Sequence, residues 1–286
     1  MKHISSLLLL VFIITFSMNA QQLENSTLWK ISGNGLEKPS YLFGTIHITC
    51  DASLDNDIKK ALDETTQLVL ELDMDDPKMQ SQLMKGMYMT DGKTLKDLVS
   101  EEEFTAIDSL FIKQAGMSIG LIQNMKPFFL TSMLYPKMID CQMESFELEL
   151  MKVTKEQNED VYGLETIKEQ LQVFESIPYK DQVADLIRMA KDNLEYDKAT
   201  FAEILEVYKS KNITEMLNMM DNENNEMTAK HQDVLLKDRN INWIPKIEVY
   251  AKQQPTFFGV GAGHLAGENG VIKLLRKAGY SVSAVL

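Results

Sequence analysis

Two stretches of the chain share one pattern of apolar and polar positions. The first is an apolar run that ends in Gly44-Thr45-Ile46-His47, and the second is an apolar run that ends in Gly261-Ala262-Gly263-His264. Each is followed by a segment with helical spacing and by a second apolar run, at 57–64 and 68–72 in the first copy and at 269–278 and 280–285 in the second. Self-similarity of this kind indicates a repeated structural unit. The pattern therefore predicts a strand–Gly-x-x-His–helix–strand unit near each end of the fold.

The histidines of these two units are the first candidates for chemistry. In both copies glycine stands where the strand stops, as expected where a chain needs a positive φ or a close backbone approach. Either histidine alone could cap a turn or be a hydrogen-bonded core residue. A shared site explains the related pair better, so we predict that His47 and His264 lie together. Their rings should then be less than ~10 Å apart, the span that one metal ion with bonds near 2 Å could bridge.

One carboxylate interrupts the second apolar run of the first unit. Residues 67–73 otherwise resemble a strand that is buried on both faces, and Glu71 lies inside this run. The corresponding end of the second unit, Ser283-Ala284-Val285, has no acidic residue. Charges are rarely buried unless they are paired or bound to a metal. Glu71 is therefore a candidate functional residue, and a solvated strand end is the alternative.

The segment between the two units reads mainly as helix. Residues 76–159 contain few turn signals, so we expect a helical insertion there. Residues 161–165 predict a third buried strand that ends at Glu165, and Thr166 with Glu169 predicts a capping box that opens the next helix. Functional groups often lie at the carboxyl ends of strands in α/β sheets. The structural alternative for Glu165 is a favourable charge at a helix N-terminus.

Residues 1–20 predict a secretory signal peptide. Lys2 and His3 precede the apolar segment 7–16, and small residues lead to an expected cleavage site near Ala20. No later run approaches the ~18 apolar residues of a membrane helix. We therefore expect a single exported domain over 21–286, periplasmic or extracellular, without stable membrane insertion.

Charge and cysteine content narrow the possible partners and the compartment. The formal net charge is −13, which disfavours nucleic acid and anionic membrane surfaces as partners. Cys50 and Cys141 are the two cysteines, and an even count in an exported chain predicts one disulfide. The sequence assigns no oligomeric state.

Two imidazoles and one or more carboxylates form a ligand set that suits a divalent metal. Manganese, cobalt, zinc and iron all accept such ligands and leave positions for water and substrate. A bound metal lowers the pKa of its water, and a neighbouring glutamate can act as general base. The sequence does not decide among the four metals.

The ordered motifs resemble the TraB/GumN family, which is related to the Tiki proteases and more remotely to erythromycin-esterase-like and ChaN-like proteins. The resemblance spans nearly the whole mature chain and rests on Gly44 to His47, Glu71, Gly163 to Thr166 with Glu169 and Gln170, Arg239-Asn240 with Trp243, and Gly261 to His264. It implies an α/β fold in which duplicated strand–Gly-x-x-His–helix–strand units form a central mixed sheet. A large helical insertion would lie between the halves.

The resemblance also implies a metal site. The Tiki branch is associated with Mn- or Co-dependent proteolysis, so His47, His264 and Glu71 are expected to hold a divalent metal. Glu71 could instead take the proton from the metal-bound water. The expected function is an exported metal-dependent peptidase or related hydrolase that acts on a peptide or protein. A non-catalytic metal- or haem-binding module and a peptide-sequestering protein are the alternatives.

Three further residues carry over from the resemblance as supporting catalytic positions. They are Glu165, Arg239 and Asn240. Arg239 or Asn240 would stabilise the oxyanion that develops during hydrolysis.

Overall fold

A mixed β-sheet forms the centre of the protein. The computed structural model describes residues 23–221 and 226–286, and the predicted signal peptide lies outside them. Within the described ranges, six strands lie in the order β4-β3-β5-β2-β1-β6. Their bounds are Leu28–Ser32 (β1), Ser40–Thr45 (β2), Gln67–Leu72 (β3), Asp160–Glu165 (β4), Phe257–Gly261 (β5) and Ser281–Ala284 (β6). The predicted α/β class is confirmed.

The two central strands are those that lead into the Gly-x-x-His motifs. β2 and β5 are parallel, with Thr45 opposite Gly261. β3 is parallel to β5, and β4 is parallel to β3. Only β1 is antiparallel to its two neighbours, β2 and β6. The carboxyl ends of β2, β3, β4 and β5 therefore meet at one edge of the sheet.

Helices cover both faces of this sheet and build a separate helical region. Their bounds are Asn56–Asp63 (α1), Met79–Gly86 (α2), Glu101–Ala115 (α3), Pro127–Ser132 (α4), Phe146–Glu156 (α5), Ile167–Ser176 (α6), Tyr179–Asp192 (α7), Glu195–Lys209 (α8), Ile213–Met219 (α9), Glu226–Lys230 (α10), Asp238–Gln253 (α11) and Val271–Lys277 (α12). The predicted capping box of Thr166 and Glu169 opens α6. None of the helices in the described ranges is long and apolar enough to cross a membrane.

The alternation of side chains along the strands separates two cores. Leu42 and Phe258 pack on one face with residues of α11 and α12. Phe43 and Phe257 pack on the other face with residues of α1 and α5. Successive side chains of a strand point to opposite faces of the sheet. α1, which follows β2, packs on the face of Phe43, and α12, which follows β5, packs on the face of Phe258. The two helices therefore lie on opposite sides of the sheet.

The two predicted units differ in their second strand. β2 leads through α1 to β3, which pairs with β5. β5 leads through α12 to β6. The position beside β2 is occupied by β1, so β6 pairs with β1 at the edge of the sheet. The mixed sheet is as predicted, whereas the duplication of the whole unit stays a prediction.

The helical region has an apolar core of its own. The predicted insertion, 76–159, contains α2 to α5, and residues of α3 and α4 pack together there. Val183, Leu186 and Met189 of α7, from beyond β4, belong to the same core. The boundaries of the insertion stay a prediction.

One helix contains a proline in its interior. α11 runs from Asp238 to Gln253 with Pro245 inside it. Proline removes one helical hydrogen bond and crowds the preceding turn. Burial of Trp243, Ile247 and Ala251 against the sheet supplies the packing that offsets this cost.

The predicted disulfide between Cys50 and Cys141 is confirmed. It joins the loop that carries His47 to the segment before α5. Thr49 and Glu144 also form a β-bridge between the same two segments. The covalent link therefore fixes the His47 loop against the start of α5.

Replacing Cys50 and Cys141 by alanine should lower the free energy of unfolding. The disulfide closes a sequence separation of 91 residues, and the chain-entropy model assigns such a loop up to ~4–5 kcal/mol. Urea unfolding of the double variant checks this. Native protein unfolded under reducing conditions should match the variant, and equal stability of the oxidised native protein and the variant would contradict the prediction.

Candidate active site

The glycines of the two motifs permit a close approach of chains at the carboxyl edge of the sheet. Neither Gly44 nor Gly261 has a positive φ. A Cβ on Gly44 would lie 2.6 Å from Leu265 Cδ1 and 3.1 Å from Ala262 Cα. The first glycine is therefore required because the two motif turns touch.

The second glycine marks the point where the predicted site residues meet. A Cβ on Gly261 would lie 3.3 Å from Glu71 Oε1, 3.5 Å from His47 Nε2 and 3.6 Å from His264 Cδ2. Three atoms this close to one point put the two rings well inside the ~10 Å limit for a shared metal. His264 Nε2 is also 3.8 Å from Glu71 Oε1. The structure thus brings together the three residues that the sequence proposes as metal ligands.

Asn240 fixes the ring of His264. Its amide nitrogen donates to the carbonyl oxygens of Asn269 (2.8 Å) and His264 (3.3 Å), and its Oδ1 lies 2.6 Å from His264 Nδ1. Since Oδ1 can only accept, Nδ1 carries the proton and the Nε2 lone pair faces the site. Burial, with the charge of Arg239, lowers the pKa of His264 to about 3, so this imidazole is neutral at neutral pH.

Arg239 connects the two glutamates of the site. Its Nη2 donates to Glu71 Oε2 (2.6 Å) and to Glu165, and its Nε donates to both oxygens of Glu165 (3.2 Å each). Its Nη1 donates to His264 Nε2 (3.2 Å). The guanidinium also lies 4.8 Å from the ring centre of Trp243. One side chain of α11 therefore joins β3, β4 and the second motif.

Both glutamates accept hydrogen bonds, Glu165 as a buried residue and Glu71 with a side chain that is 12% exposed. Glu71 Oε1 accepts the Gly261 backbone N–H at 2.8 Å, and Glu165 also accepts from Trp243 Nε1 and Gln170 Nε2, each at 3.2 Å. Burial raises the pKa of Glu71, but the charge of Arg239, together with the charges that the two histidines carry when they are protonated at low pH, holds it well below its ordinary value. Glu71 is therefore a carboxylate, and the solvated strand end considered for it does not occur.

Glu147 is a site residue that the sequence interpretation missed. It accepts from His47 Nδ1 (2.7 Å), Thr45 Oγ1 (2.6 Å) and Ser145 Oγ (2.6 Å). Hydrogen bonds from these groups outweigh its burial and lower its pKa to about 2. The predicted disulfide could have pointed to it, because Cys50 follows His47 closely and Cys141 shortly precedes Glu147.

The other nitrogen of His47 faces the open part of the site. The side chain is 63% exposed and borders two cavities. A cavity of about 390 Å³ extends from His47 to His264, and one of about 320 Å³ extends from His47 to Glu71. Crowding by protein atoms lowers the pKa of His47, but the hydrogen bond to Glu147 and the charges of Glu71 and Glu147 raise it to about 9.

A profile of the TraB/PrgY/gumN family matches residues 27–284 of the chain. The chain belongs to this family. It is 22% identical to the protein named "Metalloprotease TIKI1" of Danio rerio in an alignment 317 residues long, which covers 90% of this chain and 63% of that relative. It is also 22% identical to the "Metalloprotease TIKI homolog" of Amphimedon queenslandica, over 93% of this chain and 62% of that relative. The chain thus spans about three-fifths of the length of these relatives. No solved structure matches it.

The metal that the names of these family relatives suggest can be tested against the donors present. Each imidazole has Nδ1 hydrogen-bonded to an outer acceptor, Glu147 or Asn240, and turns Nε2 inward, as is usual for metal-bound histidines. However, Arg239 donates to His264 Nε2 and to Glu71. In residues 23–221 and 226–286, no three His, Cys, Asp or Glu side chains are already spaced to hold an ion. The donors fit a metal by type and orientation, and Arg239 would have to yield one of its bonds.

Replacing Arg239 by methionine should destabilise the fold. Removal of one partner from a buried ion pair costs ~3–5 kcal/mol, because a buried charge is left uncompensated. Glu71 and Glu165 would both lose their cation. Urea unfolding measures the loss, and the double variant Arg239→Met/Glu165→Gln should recover part of it. Equal stability of Arg239→Met and the native protein would show that the network does not hold the fold.

Replacing Glu147 by glutamine should lower the pKa of His47 in the metal-free protein. The carboxylate favours the charged imidazolium, so its removal shifts the pKa from about 9 toward the ordinary value of a histidine. An NMR titration of the His47 ring signals measures this. Glu144→Gln is the matched control, since Glu144 accepts from the Ala52 backbone instead. An unchanged pKa in Glu147→Gln would contradict the assigned hydrogen bond.

Proposed function

We propose that the chain is an exported metal-dependent peptidase, or a related hydrolase, whose site holds a divalent metal between His47 and His264. The observation that carries this proposal is the pair of imidazoles with Nδ1 held by an outer acceptor and Nε2 turned toward Glu71. The names of the relatives, which call them metalloproteases, support the same reaction class. Manganese, cobalt, zinc and iron all remain compatible with these ligands.

The charge around the two histidines supports a bound cation. Glu71, Glu147 and Glu165 have side chains that are 12%, 10% and 5% exposed. Arg239 pairs with Glu71 and Glu165, and protonated His47 pairs with Glu147, so one negative charge is left unbalanced. Buried carboxylates in excess over cations favour the binding of a further positive charge.

The side chains divide the remaining work of hydrolysis. A divalent metal held by His47 and His264 would polarise the substrate carbonyl and lower the pKa of a water molecule. Glu71 either completes the ligand set or accepts the proton of that water, and the Gly261 N–H keeps its Oε1 in place. His47 and His264 supply the nitrogen ligands.

Arg239 and Asn240 have different roles in this proposal. Every hydrogen-bonding group of the Asn240 amide is used on His264 and Asn269, so Asn240 positions the imidazole. Arg239 is the better donor for a developing oxyanion. Among the residues that the structure describes, its Nη1 bonds only to Leu235 O and His264 Nε2, each at 3.2 Å. The second of these is the bond that a metal would replace. Glu165 anchors the rest of the guanidinium.

A peptide-sequestering protein is the second candidate. The observation in its favour is that Arg239 already donates hydrogen bonds to Glu71 Oε2 and His264 Nε2. With these bonds in place, the two side chains have a partner without any metal. In that case the protein would bind peptides and leave them intact with every metal tested. A Soret band on addition of haem would instead favour the haem-binding alternative.

Metal binding and peptide cleavage test the proposal together. Isothermal titration with each of the four metals should give high-affinity binding to the native protein and to His231→Ala, because His231 pairs with Asp181 instead. His47→Ala and His264→Ala should lose that binding while their circular dichroism stays native. Cleavage of a peptide library should need the metal and should be lost in Glu71→Gln. Unchanged metal affinity in both His47→Ala and His264→Ala would contradict the proposal of a shared metal site.

A further inference from the structure

The larger of the two cavities at the site has a predominantly apolar wall. It has a volume of about 390 Å³ and reaches from His47 and the turn 261–264 into the helical region. Ligand pockets typically have volumes of about 300–1,000 Å³ and apolar linings with a few polar groups. Its size and its direct connection to both motif histidines make it a binding pocket that continues the site.

Methionine is frequent in the wall of this cavity. The wall includes Met138, Met189, Met216, Met220 and Met227. Methionine is unbranched and polarizable, so it adapts to apolar groups of different shape. The wall also contains Asp185, Arg188 and Asp197, and Arg188 pairs with Asp197 at 2.7 Å and lies 3.8 Å from Asp185. The methionine part of the wall suits large apolar side chains with little discrimination among them, and two carboxylates against one guanidinium disfavour an acidic side chain, whose charge would also lose its hydration.

Met220 connects the wall to the second motif. A Cβ on Gly263 would lie 2.7 Å from Met220 Sδ, so the absence of a side chain at Gly263 lets this methionine lie directly on the turn that carries His264. A group in the cavity is therefore close to the ring of His264. The pocket therefore lies next to the place that a substrate peptide bond would occupy between the two histidines.

A threonine at the wall of the same cavity has a buried hydroxyl group. Thr131 is 6% exposed and borders the cavity, and its Oγ1 is buried without a hydrogen-bond partner among the residues described. An unsatisfied buried polar group costs free energy. This hydroxyl has no accessible surface in the cavity, so a bound molecule would reach it only after the Thr131 side chain turned toward the cavity.

We propose that this methionine-walled cavity binds a large apolar side chain of the substrate, such as leucine, methionine or phenylalanine, next to the peptide bond that is cleaved. The proposal rests on the peptidase function above and names the substrate class for it. His47 also borders the smaller cavity beside Glu71. The peptide therefore continues on both sides of His47, and its apolar residue occupies the larger side.

Labelled peptides test the cavity separately from the chemistry. The probes are fluorescein-labelled pentapeptides with a central leucine, methionine, phenylalanine, alanine or aspartate between pairs of alanines. Fluorescence anisotropy with metal-free protein measures binding alone. The first three peptides should bind at least ~10-fold more tightly than the alanine and aspartate peptides, since even one methylene in an apolar pocket is worth about 10-fold or more. The same order is expected for cleavage in the presence of metal.

Two variants change the cavity in opposite directions. Met216→Trp fills it and should reduce binding of the leucine peptide at least ~10-fold. Phe201→Ala enlarges it and should shift the preference toward phenylalanine. Met117→Trp is the matched control, because Met117 is 37% exposed and lies outside the cavity. Thermal unfolding by circular dichroism confirms that each variant folds.

The outcomes separate this inference from the proposed function. Cleavage without an apolar preference, unchanged in Met216→Trp and Phe201→Ala, would overturn the pocket and leave the peptidase in place. Apolar binding that Met216→Trp weakens, with no cleavage by any metal, would support the pocket and overturn the peptidase. Equal binding of the leucine and aspartate peptides would also overturn the pocket.

Discussion

The guanidinium of Arg239 is the group on which the arrangement of the site depends. It is buried, and it neutralises carboxylates at the ends of two neighbouring strands, Glu71 on β3 and Glu165 on β4. Buried carboxylates are costly unless they are paired. Without this cation, neither glutamate could stay in its position at the end of its strand. The pairing fixes α11 against the carboxyl edge of the sheet. Asn240 and Trp243, which contact His264, are carried into position by the same helix.

If the proposed metal binds, it competes with Arg239 for one atom of the site. Arg239 engages the lone pair of His264 Nε2, which a metal would need. Its bond to Glu71 is to Oε2, whereas Oε1 is the oxygen that faces the two histidines. A cluster of carboxylates with no cation would oppose folding, whereas the guanidinium lets the site form before any metal arrives. The proposed metal binding would exchange one bond of 3.2 Å and leave the anchoring of Arg239 on Glu165 intact. In this proposal the site does not depend on the metal to form, unlike in small domains that fold only with their metal.

Local patterns predicted the elements and the central residues of the site, but not every contact. Glu71 was recognisable because it interrupts an apolar run, and the two glycines because they stop strands. The structure assigns the glycines to close approach rather than to a positive φ. Glu147 was missed because it meets His47 across 100 residues and lies in an ordinary acidic first helical turn. The pairing of β6 with β1 was also beyond reach, since alternation specifies the face of a strand and not its neighbour.

The two Gly-x-x-His motifs end in histidines that are not equivalent. The backbone of each motif delivers an imidazole to the same point beside Gly261, but the outer partners differ. His264 is 5% exposed and meets a neutral amide, and its pKa falls to about 3. His47 is 63% exposed and meets the carboxylate of Glu147, and its pKa rises to about 9. Similar motifs therefore produce a neutral imidazole inside the protein, His264, and an imidazole at the cavities, His47, whose charged form is stabilised by Glu147. This difference arises from Asn240 and Glu147, two residues outside both motifs, so the chemistry of the pair is set by α11 and α5 rather than by the motifs themselves.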